Sequence, residues 1–568
     1  MKSIVWSSLA FIFLPLIADA QAPICSPHKQ QLANRESLAS SSTFAKPYNP
    51  DYMPKLPAVG SGPYCDPLYG FPVTRVDNPS LVANNGTITS GIQVTLQDAY
   101  ANPSVGFSRD GSKLQLLGFM GTNGIYTLDT ATLRVTKAEA FFAYPSWDGQ
   151  VAPPEDGSDG GLGNVTTNGL GFGLTGGGVW HPENSNKMIA LRGMFLYSVD
   201  LGSKMPAQNN AHPAVPLADL RSLFDWNQRT VPGQSGCPSA DQCFVQRYPS
   251  LGDVSLVQCY SSANLKTWAC TTYVRNLVGV QATSYVVFRL RSLDLPVDTN
   301  RQVRANAAKT NWEVLRWFVN GIDTSSPDVF RTIKMYNSDT HAVEARGLQN
   351  PYNGGYKVSL DPSGRFLYFS GSRPPDQPTL NPLPFVYDLT RPLNNGSDDA
   401  SFALINDLSG HSAVGSGTLI SMDYESPLGI RKWDLAGLIY NDLSLTVNIG
   451  VPFTSMPGGI ELSDYLALPA IDSTLVAYSG PPEIGNPAYA NEIRVITTNP
   501  ITGARIITRV AYVNSAIPTG WGTKIDLRQP MVSPNGDLIA FSTNFGNTSE
   551  QPFDDRAGAS YVMVVRIK

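Results

Sequence analysis

Charge is what this chain of 568 residues has least of: 15% of its residues are Asp, Glu, Lys or Arg, and the formal net charge is -5. No stretch concentrates Lys and Arg, so the clustered basic footprint of a nucleic-acid-binding protein is missing. Histidine is scarce too. The five, His28, His181, His212, His341 and His411, stand far apart with no HxH or HExxH spacing, which excludes a local catalytic metal motif. The six cysteines contain no CxxC pair, which argues against a thiolate zinc site. Long helical patterns are rare, and beyond the N-terminus no run nears the ~20 apolar residues of a membrane helix.

The one long apolar run, Ile4 to Ile17, follows Lys2 and precedes Ala18-Asp19-Ala20. This order reads as a secretory signal peptide over residues 1–22, cleaved after Ala20 or Ala22. Cys25 lacks the small-residue box of a lipoprotein. The mature chain is therefore expected to be soluble and exported, periplasmic or extracellular, with its even number of cysteines oxidised. Their grouping in sequence favours the pairs Cys25–Cys65, Cys237–Cys243 and Cys259–Cys270.

Glycine, proline and aromatics are plentiful, with 50 Gly, 44 Pro, 24 Tyr and 23 Phe. That composition suits short strands joined by turns. Residues 529–542, QPMVSPNGDLIAFS, show the unit: a short apolar strand, a Ser-Pro-Asn-Gly turn, and an alternating strand. Comparable units stand at 105–118 and 358–371, with weaker copies at 178–202, 256–274, 415–448 and 465–510. Landmarks near Gly111, Asn186, Asn264, Gly364, Tyr424, Ser473 and Gly536 count seven units. The first, from Asn102 to Ala140, holds four strand-like segments, as one propeller blade requires.

The expected fold is thus an all-β propeller of seven blades. Six or eight remain open, because the interval from Asn264 to Gly364 has room for another blade or a long insertion. Within it, TNWEVLRWFVNGI (310–322) suits a helix or a strand. Residues 23–86 read as an extended arm and 87–568 as the propeller. The last unit shows three strands, so an N-terminal strand, TITSGIQVTLQ at 87–97, is expected to complete it and close the ring.

The Ser-Pro-Asn-Gly, Asp-Pro-Ser-Gly and Ser-Arg-Asp-Gly turns, each followed by an alternating apolar strand, resemble the TolB-type, WD-like propeller repeat. The resemblance implies a propeller and partner binding as a class of function. It does not extend to the α/β domain of that family, which residues 23–85 do not match.

Few residues offer chemistry. Ser412 in GHSAVG has Val414 where a nucleophile elbow needs its second glycine, and no catalytic residue is assigned. The Gly-rich stretch 155–178 lacks the GK[ST] of a phosphate loop. Its Glu155, Asp156 and Asp159 are candidate hard ligands for Ca²⁺, the one cofactor considered. Asp398–Asp399 and Asp554–Asp555 read as solvated pairs, and sequons stand at Asn85, Asn164, Asn395 and Asn547. The expected function is an exported, monomeric, non-enzymatic propeller binding a protein or polysaccharide in the cell envelope or outside the cell. One rival is a lyase or hydrolase of extracellular polymers, with His181 or His411 meeting loop carboxylates. The other is a structural envelope component.

Overall fold

A computed structural model of the chain describes Cys25 and residues 56–66, 69–77, 106–117, 123–141, 143–145, 178–192, 195–206, 210–220, 254–275, 281–295, 301–320, 332–337, 342–349, 357–370, 384–391, 402–405, 412–423, 429–440, 447–455, 466–467, 475–479, 492–499, 501–503, 505–513, 530–543 and 561–568. Their strands form seven sheets that follow one another along the chain as the blades of a seven-bladed propeller. Blade 1 holds Lys113–Leu117, Asn123–Asp129 and Arg134–Ala140, with Phe107 bridged to Leu114 on the inner side. Blade 2 runs from Gly178–Trp180 out to His212–Asp219, where Ala143–Pro145 adds a parallel edge. Blades 4, 5 and 6 begin at Lys357–Leu360, Ser412–Gly415 and Leu466–Ala467.

The wide interval in the middle of the chain is an elaborated blade 3, not an eighth blade. Its sheet has six strands, from Val254–Ser261 to the hairpin Thr332–Asn337 and Ala342–Gln349. Helix α1, Arg301–Thr310, enters between its third and fourth strands, Gln281–Leu290 and Trp312–Asn320. The ambiguous run at 310–322 is thus mostly strand.

Successive side chains of a strand point to opposite faces, and consecutive residues are buried in strands such as Phe385–Asp388 and Tyr561–Arg566, so a blade has two apolar faces and packs on both neighbours. One core joins blade 7 to blade 1 through Met531, Leu538 and Val562 against Phe107, Leu114 and Leu128. Equivalent cores join blades 1 and 2, 2 and 3, 3 and 4, 4 and 5, and 6 and 7. The inner strands of blades 5 and 6 are also in contact.

Blade 7 combines both ends of the described chain. Met531–Val532, Leu538–Thr543 and Tyr561–Arg566 continue outward into Pro72–Arg75 and Tyr64–Cys65. Val73 pairs with Val565 and Arg75 with Met563. The edge that sequence reading reserved for residues 87–97 is therefore occupied by Pro72–Arg75, a correction; 87–97 lie outside the described residues. The physical reason is burial: Val73 enters the core between blades 6 and 7, and Val76 the one between blades 7 and 1. Cys25 is bonded to Cys65 beside this strand.

The first turn of each clean blade repeats one hydrogen-bonded device. Ser108, Ser262 and Ser533 offer Oγ to the backbone N–H five residues on, at 2.9, 3.0 and 2.9 Å, and Asp361 does so with Oδ1 at 2.8 Å. The fourth turn residue takes positive φ, at Gly111, Gly364 and Gly536, and at Leu265 in blade 3. In blade 5 the first turn is Ser416-Gly417, between Ser412–Gly415 and Thr418–Asp423. The landmarks at Tyr424 and Ser473 lie outside the described residues.

Candidate functional site

In blades 2 to 5 the connections after the first and third strands open on one face of the ring, since the strands alternate in direction. The two described histidines lie close to this face; both rings are buried, His212 engaged at both nitrogens and His181 hydrogen-bonded at one. His181 replaces the serine of the blade 2 turn, and its Nδ1 accepts the Glu183 N–H at 3.2 Å. Nε2 then carries the proton and faces Asp294 of blade 3 at 3.7 Å. Burial lowers the His181 pKa below its ordinary value, with Asp294 opposing. His212 is fully buried, with Nδ1 2.9 Å from the Ser203 carbonyl and Nε2 3.1 Å from Lys204 Nζ. A carbonyl only accepts and an ammonium only donates, so Nδ1 bears the proton and the ring is neutral. Burial and then the Lys204 charge lower its pKa.

Ser412 lies inside a strand of blade 5, fully buried, with Oγ 3.5 Å from the Tyr368 hydroxyl. That is no exposed strand-to-helix turn, in line with its rejection as a nucleophile. Glu155, Asp156 and Asp159 lie outside the described residues, as do His28, His341, His411, Cys237, Cys243, both acidic pairs and the four sequons. Among the described residues no group of three His, Cys, Asp or Glu could hold a metal ion. Cys259 and Cys270 face each other across the first two strands of blade 3 and are bonded, with Cα atoms 4.0 Å apart.

The surface with the makings of a binding site lies where blades 4 and 5 meet. After its third strand, Gly429–Asp434, blade 5 turns at Asp434, whose Oδ1 accepts the Ala436 N–H at 3.1 Å. Leu438 is buried behind this turn, and Ile439 is left outside. The chain then returns as Val447–Asn448, which pairs in parallel with Phe402–Ile405 of blade 4, and continues into Val451–Ser455 of blade 5. Asn448 ties the two segments together. Its Oδ1 accepts the Ile439 N–H at 2.7 Å, and its Nδ2 donates to the Ile439 carbonyl at 3.1 Å and the Leu404 carbonyl at 2.9 Å.

Extended backbone alternates its side chains, so with Asn448 and Gly450 turned inward, Ile449 and Val451 point outward. Gly450 is required there, because an added Cβ would stand 2.4 Å from the Trp433 ring. Ile439, Ile449 and Val451 are 53%, 71% and 63% exposed, half of the large apolar residues so exposed in the described structure. Arginines border them. Arg391 Cζ lies 4.0 Å over the Tyr440 ring, and Arg431 Nη1 donates to the Gly450 carbonyl at 3.2 Å.

Asp388, buried beneath, pairs with Arg365 at 2.7 Å and Arg391 at 3.4 Å. Burial pushes its carboxyl up, but hydrogen bonds from Arg365 and Thr390 outweigh burial and hold it below the usual range. Burial, with the Asp388 charge, raises the Tyr440 phenol, which stays neutral. Sequence reading missed this patch. Its only signal is the pair of aliphatics around a glycine in Ile449-Gly450-Val451, which resembles any buried strand.

No family model matches the chain, and no curated protein does. Among solved structures it is similar to the WD40 repeats of RRP9, at 11% identity over 68% of this chain and 92% of that one, with a TM-score of 0.27. It is similar to the β-propeller domain of Cps50 (Swd1) from Myceliophteria thermophila, at 12% identity over 82% and 97%, with a TM-score of 0.27. A further similarity is to prolyl oligopeptidase B from Galerina marginata, at 11% identity over 63% of this chain and 45% of that one, with a TM-score of 0.31. The fold assignment rests on the sheets and the cores between them.

Proposed function

We propose that this protein is an exported, non-catalytic β-propeller that binds a protein partner through the apolar patch at the junction of blades 4 and 5. The observation that carries the reading is the outward set of Ile439, Ile449 and Val451 on two segments that Asn448 ties to each other and to blade 4. Exposed aliphatics gathered in one place and rimmed by polar groups are a hallmark of protein interfaces. Arg391 and Arg431 beside them favour a partner with acidic residues around an apolar anchor. Export is supported by the N-terminal apolar run and by the Cys25–Cys65 and Cys259–Cys270 bonds, which persist in oxidising compartments. No helix among the described residues is long and apolar enough to cross a membrane. The enzyme reading is weakened at His181 and His212, whose rings are buried, with both nitrogens of His212 already engaged.

Capture from envelope and extracellular extracts, with the mature wild-type chain beside Ile439→Asp and Ile449→Asp, tests the proposal. A protein retained saturably by the wild type and lost with both variants is expected. Equal capture by all three chains would remove the patch from the function.

A further inference from the structure

The rim of blade 3 on the same face has a different character. Its third strand carries Arg289 and stops at Leu290, and Arg291 follows at the bend; a shared approach to Glu313 sets the two guanidinium groups side by side. The two residues are 53% and 62% exposed as side chains, and each approaches one oxygen of Glu313 at 3.8 Å. That distance is an ion pair and too long for a hydrogen bond. Among the described residues neither guanidinium donates to any acceptor, so the donor forks of both are unspent.

Two lysines join them. The Leu290 N–H donates to the Lys266 carbonyl at 2.7 Å, which places Lys266 beside the arginines, and its side chain is exposed. Lys309, exposed at the end of α1, precedes Asn311, whose carbonyl accepts the Arg291 N–H at 2.8 Å. Against these four cations stands Glu313. Asp294, the other described carboxylate of this connection, faces blade 2, where Lys187 and His181 engage it. A chain of net charge -5 thus carries a local positive edge.

We infer that this edge binds an anionic polysaccharide through Lys266, Arg289, Arg291 and Lys309, with the arginines forking onto its carboxylate or sulfate groups. Open guanidinium forks match planar and tetrahedral oxyanions. The edge lacks the aliphatic cluster of the blade 4–5 patch, so repeated charge, not an apolar anchor, is what it offers. The inference rests on export to a compartment holding such polymers, and not on the protein-binding patch.

The test is equilibrium binding of the mature chain to immobilised polygalacturonate and, separately, dextran sulfate, which distinguishes carboxylate from sulfate. Binding to at least one polymer is expected, weakening with added salt. The Arg289→Gln/Arg291→Gln double variant should bind about tenfold more weakly or worse. Arg289→Lys/Arg291→Lys should fall between the two, and Lys137→Gln on blade 1 should match the wild type, as should Ile449→Asp. Failure to bind either polymer, an unaffected Gln double variant, or tighter binding to poly-glutamate would each overturn the inference, the last assigning the edge to an acidic protein segment.

Discussion

Glu492 sits fully buried in blade 6 at the centre of a charge cluster that reaches the N-terminal segment. Its Oε1 accepts the Tyr69 hydroxyl at 2.6 Å, and its Oε2 accepts Arg494 Nε and Nη2 at 2.9 and 2.8 Å. Arg509 Nε lies 3.0 Å from the same oxygen. Removing one partner of a buried ionic group leaves the others uncompensated, so Glu492→Gln should cost about 3–5 kcal/mol, read by denaturant unfolding. Tyr69→Phe, which deletes a single donor, should cost about 1–3 kcal/mol. In sequence these arginines look like the solvent-facing positions of an alternating strand; only the neighbouring segment, distant along the chain, makes them interior. The histidines add a pH dependence. His181 and His212 have lowered pKa values in the folded chain, so between those values and ~6.5 the unfolded chain binds more protons and stability rises with pH. Thermal unfolding should show a plateau above about pH 7 and a midpoint that falls as pH drops through ~6.5. His212→Gln should flatten part of that fall; an unchanged slope would place its cause elsewhere.

The first-turn device is the element most legible in sequence. Ser533-Pro534-Asn535-Gly536, Asp361-Pro362-Ser363-Gly364 and Ser108-Arg109-Asp110-Gly111 all form the expected reversal, because its hydrogen bonds are local. Two first-turn glycines, one in this device and one in the shorter turn of blade 5, separate strain from crowding. Gly417, at φ +66°, has no atom within 4 Å of an added Cβ, whereas Gly364, at φ +75°, would meet Ser262 Cβ at 2.9 Å and Thr267 at 3.2 Å. Gly417→Ala should cost about 1–2 kcal/mol from backbone conformation alone. Gly364→Ala should cost about 1–3 kcal/mol more, because blade 3 must give way. Equal losses in calorimetry would mean that the turns of blades 3 and 4 are not pressed together. The edge strand of blade 7 shows the opposite limit of legibility. Pro72-Val73-Thr74-Arg75 is short, and an alternating run at 87–97 offered the stronger local pattern. Pairing with Tyr561–Arg566 is a long-range fact that no window of sequence contains.

At the scale of the molecule, seven similar sheets become one body because each apolar face finds the next blade, and blade 7 finds blade 1. Blade number was readable from the repeat. The patch and the basic edge were not, since their residues converge only when the third-to-fourth connections of blades 3, 4 and 5 reach the same rim. The Cys25–Cys65 bond spans 40 residues and holds the segment that supplies the outer strands of blade 7. Loop-closure entropy gives it about 4 kcal/mol, so Cys65→Ser should lower the unfolding midpoint and make it insensitive to reductant at that site. No change would show the segment to be held by packing alone. The binding function itself is best approached with a photo-crosslinking side chain at position 449, compared with the same group at Ile501, which is 91% exposed on blade 6. A discrete protein adduct from extracellular or envelope extract at 449 and none at 501 is the expected result. Adducts of the same protein at both positions, or at 501 alone, would contradict a binding site at the junction of blades 4 and 5.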